Sequence, residues 1–182
     1  AAPAAPAAPA APADAPAPAA AVKRFVARID WQSFGDAADL ARVCEIELFG
    51  LQLTCLPVMH GADYVCFGYG FGAEGSRCAY LSDYTALLPQ TEVLLEEWSS
   101  REGGLALLVL DALRPSGAHP VHATMEESVA LARRLRPRRT LLVGMGHAME
   151  HHATNRRLRR LWSEEGLDVQ LAYDGQFVPL EF

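Results

Sequence analysis

The chain has 182 residues, 51% of them hydrophobic, and a net charge of −6, enough for one domain, or one domain and a tail, with an apolar core of its own. That charge argues against general nucleic-acid affinity, and no apolar run reaches the length of a membrane-spanning helix. Four cysteines, Cys44, Cys55, Cys66 and Cys78, stand in apolar segments without CxxC spacing, which speaks against a zinc knuckle and for free thiols in a reducing, cytoplasmic setting.

Residues 1–22 are almost entirely Ala and Pro. That composition supplies no patterned core, so it predicts a disordered linker ahead of a folded domain over 23–182. The stretch has neither a charged n-region nor an apolar h-region, so it is not a signal peptide by pattern. The first residue is not Met, which predicts a processed chain or a fragment.

Runs at 24–29, 44–49, 51–58, 64–71 and 77–81, parted by Gly, Asp or charged turns, predict a meander of strands. Gly50 joins two of them closely enough for a hairpin. Gly68, Gly70 and Gly72 predict a bulge or a close backbone approach in the next strand. After Asp83 helices alternate with strands, and the fold class is α/β. A helix falls near 91–100, a strand at 105–110, and a helix at 125–135 opened by the capping box of Thr124 and Glu127. Pro137 ends that helix, and 140–143 is a buried strand. A helix over 149–164 carries Leu158, Leu161 and Trp162 on one face and stops at Gly166. Asp174-Gly175, between 168–173 and 177–180, predicts a closing hairpin. The arginines of 133–139 and 156–160 are expected on solvated helix faces.

Three of the apolar runs end in groups suited to hard or borderline divalent cations. They deliver His60 before Gly61, Asp83 after Tyr80-Leu81-Ser82, and His147 after Gly144-Met145-Gly146. Each alone is ordinary in a turn, whereas the conjunction at strand ends predicts a site. His119-Pro120-Val121-His122 follows the strand ending at Asp111. His122, beside the capped helix, is the candidate for acid chemistry or for binding a substrate oxygen, and His119 is a loop residue at the margin. Asp111 is either an acceptor that fixes a histidine tautomer or a turn residue. His147 and His151 have the i, i+4 spacing of a shared helix face, but no Glu follows His147, which excludes HExxH. His151 is left to support the site from outside or to open the helix, and His152 is exposed.

Six segments, LPVMHG (56–61), AYLSDY (79–84), LLVLDAL (107–113), HPVH (119–122), LLVGMGHAMEH (141–151) and LAYDG (171–175), together resemble the second half of a metallo-β-lactamase-fold hydrolase. The branch is that of the phosphoribosyl cyclic phosphate phosphodiesterase. The resemblance implies an αββα sandwich, incomplete here, with a binuclear Zn or Mn site at one edge. It assigns His60 to one ion, Asp83 to a bridge between both, and His147 to the second ion, with His122 at the substrate phosphate. The substrate would be a small phosphodiester or cyclic phosphate, attacked by a metal-activated water. The family's HxHxDH motif has no counterpart, because no histidine precedes His60. About two protein ligands per ion then remain where a catalytic zinc usually has three, so this chain alone is expected to bind metal weakly or not at all. The alternative is a non-catalytic interaction or scaffold module that retains the fold. An incomplete sandwich also predicts self-association through its exposed sheet edge.

Overall fold

A computed structural model describes residues 39–180 together with Ile29, Trp31, Ser33 and Phe34. The expected linker at 1–22, and the strand at 24–29 apart from Ile29, lie outside the described residues. In chain order the elements are β1 (Cys44–Leu48), β2 (Leu51–Met59), β3 (Val65–Phe71), β4 (Arg77–Leu81), β5 (Ala86–Leu87), α1 (Pro89–Ser100), β6 (Leu105–Asp111), α2 (Met125–Leu135), β7 (Thr140–Val143), α3 (His151–Glu165) and β8 (Val169–Leu171). They build one 8-stranded sheet ordered β1-β2-β3-β4-β6-β7-β8, with β5 paired to β2. This single mixed sheet, with helices between its later strands, agrees with the expected α/β class among the described residues.

The meander forms as expected: β1 to β4 pair antiparallel in succession. Phe49 and Gly50 both take positive φ, 52° and 82°, the pattern of a type I′ turn, whose twist matches that of the flanking strands. Gly70 allows a close approach, since a Cβ there would lie 2.3 Å from the Trp98 ring. The irregularity of the sheet falls instead between Arg77 and Cys78, where β4 meets β6. From β4 onward the pairing is parallel, and each crossover carries a helix.

All three helices contribute to one core cluster, which takes Leu56, Val58, Leu81, Leu108, Leu110 and Leu142 from the sheet and Leu95, Val129 and Leu158 from the helices. The opposite face carries a smaller cluster of Cys78, Leu107, Val109 and Leu141. Val178 and Leu180 pack against that smaller cluster, which corrects the expected closing hairpin. The turn at Asp174-Gly175 forms, but burial of these two side chains replaces strand pairing beyond it.

Helix ends follow local chemistry. Pro89 opens α1 two residues earlier than expected, at a position where its missing N–H is no loss. The capping box of Thr124 and Glu127 is formed. Glu150 caps α3 by accepting from the N–H groups of His152 and Ala153 at 3.0 and 2.5 Å, so that helix starts at His151 and not at 149. Gly166, at φ 65°, closes it. No helix among the described residues is long and apolar enough to cross a membrane.

A buried relay joins the loop after β4 to α2 and β6. The Ser128 hydroxyl donates to the Asp111 carbonyl at 2.6 Å, so the Tyr84 hydroxyl, 3.1 Å away, donates to Ser128. Burial pushes the Tyr84 phenol up from 10.0 to about 12. A raised acid favours the fold while protonated, so its contribution is complete below pH 10 and is lost as pH rises through about 12. Tyr84→Phe should therefore flatten alkaline unfolding in that window, followed by circular dichroism, with an effect up to about 3 kcal/mol. At neutral pH the same variant should lose about 1 kcal/mol, the worth of one hydrogen bond.

Candidate metal and catalytic site

β2 is antiparallel to β3, which is antiparallel to β4, so β2 runs with β4, β6 and β7. The C-terminal ends of these four strands share one edge of the sheet, the place where α/β sheets present their ligand-binding loops. Asp111 ends β6 with only 2% of its surface exposed. Asp83, two residues past β4, has φ 53°, a left-handed turn conformation that Asp tolerates better than most residues. His60 follows β2 directly.

These ends converge on His122. Its Nδ1 lies 2.7 Å from Asp111 Oδ2 and 3.6 Å from Asp83 Oδ1. One donor atom from each of Asp83, Asp111 and His122 lies within 4.8 Å of the others. The His60 ring stands edge-on to His122 with centroids 5.1 Å apart, and His60 Nδ1 is buried without a hydrogen-bond partner. Burial pushes the Asp111 carboxyl above its ordinary range, against the downward pull of the His122 hydrogen bond and charge. A proton on His122 Nδ1 satisfies Asp111 and leaves Nε2 as the free nitrogen of the ring.

The surrounding loops are built to hold this arrangement. A Cβ on Gly144 would lie 2.5 Å from Asp111 Oδ1, and the residue sits at φ 72°. Thr85 braces the neighbouring ends: its N–H and hydroxyl donate to the Met59 carbonyl at 2.7 and 3.1 Å, and its hydroxyl accepts from the Gly61 N–H at 3.2 Å. His119 Nδ1 accepts from the His122 N–H at 3.1 Å and the Val121 N–H at 3.4 Å, which shapes the loop that presents His122. Desolvation, then the nearby Arg114 and His122, hold His119 below its ordinary pKa, in keeping with a ring nitrogen that accepts.

His147 is placed differently. It is exposed in the turn between β7 and α3 and is outside the three-residue group. Because α3 begins at His151, the i, i+4 face expected for His147 and His151 does not form. His151 Nε2 lies 3.1 Å from the Ala172 carbonyl, next to Asn155, which accepts from the Leu171 N–H at 2.7 Å; both tie α3 to the end of β8. His152 is exposed. Thr85, Tyr84 and Ser128 were not singled out from sequence. Ser128 alone carried a signal there, as a small polar residue on the apolar face of α2.

The site grades from buried to open: Asp111 is 2% exposed, whereas the Asp83 side chain faces solvent. Cavities of about 460, 420 and 610 Å³ open elsewhere and touch none of these groups. With Asp111 and His122 Nδ1 engaged with each other, the outward Asp83 carboxylate and the orphaned, buried His60 Nδ1 are the oxygen and nitrogen donors left for hard or borderline divalent ions such as Zn or Mn. The residues present therefore fit a divalent ion.

Residues 12–145 match the model of the β-lactamase superfamily domain. The chain belongs to this superfamily. Among solved structures it is similar to a diphosphatase from the PhnP family, at 34% identity over 75% of this chain and 46% of that one, with a TM-score of 0.60. It is also similar in fold to the metallo-β-lactamase fold protein YhfI from Bacillus subtilis, at 15% identity over 73% and 51% of the two chains, TM-score 0.54. A third is Igni18, a metallo hydrolase from the hyperthermophilic archaeon Ignicoccus hospitalis, at 16% identity over 76% and 58%, TM-score 0.54. The likeness at 34% identity supports the PhnP-like branch of the superfamily, and the other two show the shared fold. The chain spans about half the length of each of these structures. No curated protein matches it in sequence.

The contact between Gly144 and Asp111 yields a direct test. Gly144→Ala should move the Asp111 carboxylate, lower stability by about 1–3 kcal/mol, and shift the His122 ring nitrogens in 15N NMR. Gly117→Ala, at a similar positive φ but with open space around it, should cost about 1 kcal/mol and leave those resonances in place.

Proposed function

We propose that the protein is the site-bearing part of a metal-dependent hydrolase that acts on a small phosphodiester or cyclic phosphate. The observation that supports this most is the convergence of Asp83, Asp111 and His122 within 4.8 Å at the strand-end edge of a β-lactamase-superfamily sheet. The likeness to a protein described as a diphosphatase supports phosphorus–oxygen bonds as the target.

In this reading Asp83 and His60 would hold Zn or Mn, with Asp83 shared between two ions and His147 brought in from its turn. Bound there, such ions supply Lewis acidity toward water and toward a phosphoryl oxygen. Asp111 keeps the His122 proton on Nδ1 and the ring in place. His122 Nε2 then binds a phosphate oxygen or, when the ring is doubly protonated, gives its proton to the leaving alkoxide. Gly144 leaves room for the Asp111 carboxylate that orients this histidine. No histidine precedes His60 in the sequence, so full activity in this reading calls for ligands besides His60, Asp83 and His147, since a catalytic zinc usually has three protein ligands. The same reading includes a linker at 1–22 ahead of the domain at 23–182, a cytoplasmic setting in keeping with four free cysteines, and self-association along an exposed sheet edge. It involves neither nucleic acid nor membrane.

The lack of an upstream histidine favours a second reading, a non-catalytic module that keeps the fold. Elemental analysis of the purified chain separates the two: stoichiometric Zn or Mn counts against the module. For the enzyme, aryl phosphodiester hydrolysis by the full-length protein should fall about 10²–10⁴-fold in kcat in His122→Gln. It should be abolished in Asp83→Ala, and unchanged turnover in Asp83→Ala would exclude the proposed chemistry.

A further inference from the structure

Outside the strand-end site, two cysteines are placed as a pair. Cys44 of β1 and Cys55 of β2 are direct register partners across the antiparallel hairpin, so their side chains leave the sheet on the same face. Directly opposed residues have Cα atoms about 4.5–5.5 Å apart, inside the range of about 4.4–6.8 Å that a disulfide spans. Tyr69 is the next residue in this row, opposite Cys55 on β3. Its phenol is pushed up by burial and then by Cys55, Cys44 and Cys66 in that order.

The two thiols differ in access. Cys55 is fully buried. Cys44 is half-buried and lines a cavity of about 610 Å³ together with Phe34, Arg42, Glu45 and Phe67. Burial, and then the adjacent Cys44 as charge and hydrogen-bond partner, push the Cys55 thiol up to about 12. The remaining cysteines are arranged otherwise. Cys66 donates to the Asp83 carbonyl at 3.0 Å and Cys78 to the Ser76 carbonyl at 3.4 Å. Their register partners are Val58 for Cys66, and Phe71 and Leu107 for Cys78. Neither faces another thiol.

We propose that Cys44 and Cys55 form a redox-modification site that a peroxide converts to a cross-strand disulfide, with Cys44 as the thiol that attacks the peroxide and Cys55 as the resolving one. The Cys44 thiolate attacks one oxygen of hydrogen peroxide, the O–O bond breaks, and hydroxide leaves to take up the released proton as water, giving a sulfenic acid on Cys44. Cys55 sulfur then attacks the Cys44 sulfur, the S–O bond breaks, and the departing hydroxide leaves as water with the Cys55 proton. Two thiols are oxidised and one peroxide is reduced to two waters. The raised Cys55 thiol makes the second step the slower one, and a buried resolving group in contact with its partner needs no loop movement to react. The product pins β1, the outermost strand among the described residues, to β2, the strand that leads into His60.

The test treats the reduced, full 182-residue chain with hydrogen peroxide, alkylates the remaining thiols, and cleaves with chymotrypsin, which cuts within the turn at Phe49. The expected product is a Cys44–Cys55 linked peptide with Cys66 and Cys78 alkylated, formed in native buffer and replaced by mixed pairings in urea. β1 amides should exchange at least tenfold more slowly once the link is made. Cys55→Ser should instead trap a dimedone-reactive sulfenic acid at Cys44, while Cys66→Ser should leave the linkage intact. Alkylation of both Cys44 and Cys55 after native peroxide treatment would overturn the proposal. So would oxidation first appearing at Cys66 or Cys78, or the same pairings in native buffer and urea.

Discussion

A carboxylate buried at the end of an apolar strand sets the terms for this edge of the molecule. β6 runs through six apolar residues before it reaches Asp111, and a group so enclosed is expensive unless its oxygens find partners. His122 supplies one directly at 2.7 Å. The backbone around Asp111 is fixed by Ser128 at 2.6 Å on its carbonyl and by the Ala112 N–H, which donates to the Val143 carbonyl at 2.8 Å. Gly144 has no side chain to crowd the carboxylate. The placement of α2, the path of the histidine loop and the turn after β7 are thus three answers to one requirement.

The same requirement connects fold to chemistry. Antiparallel pairing in the first half of the sheet and parallel pairing in the second bring alternate strand ends to a common edge, so residues far apart in the chain meet there without any long loop. Three helices cover one face with a continuous apolar core. The opposite face keeps a smaller cluster, and the chain after Gly175 lays two side chains on it. The rigid layer under the site holds Asp111 and His122, whereas Asp83, with its side chain 66% exposed, is the group most open to solvent. That asymmetry suits one buried pair that orients a histidine and one outward carboxylate that takes a ligand.

Much of this was legible in the sequence where the signal was local. The capping box at Thr124, the stop at Gly166, the hairpin at Gly50 and the strand-end positions of His60, Asp83 and Asp111 depend on neighbours a few residues away. The roles of Thr85, Tyr84 and Ser128 were not legible, because each bonds to a group 17 to 44 residues distant; only Ser128, polar on the apolar face of α2, is marked by its own neighbourhood. The C-terminal hairpin shows the opposite error. Its turn was signalled correctly, but whether Val178 and Leu180 pair in a strand or bury on the sheet is decided by the apolar face beneath them. For His147 the i, i+4 spacing was real in sequence and lost in space, since the Glu150 cap starts the helix after that histidine.

Paramagnetic NMR reads out whether the strand-end group around His122 takes a divalent cation. Substoichiometric Mn²⁺ added to the 15N-histidine-labelled chain is predicted to broaden the His60 and His122 ring resonances first, to spare His152, and to lose that selectivity in Asp83→Asn. Equal broadening of all histidines, or none at His60 and His122, would contradict the account.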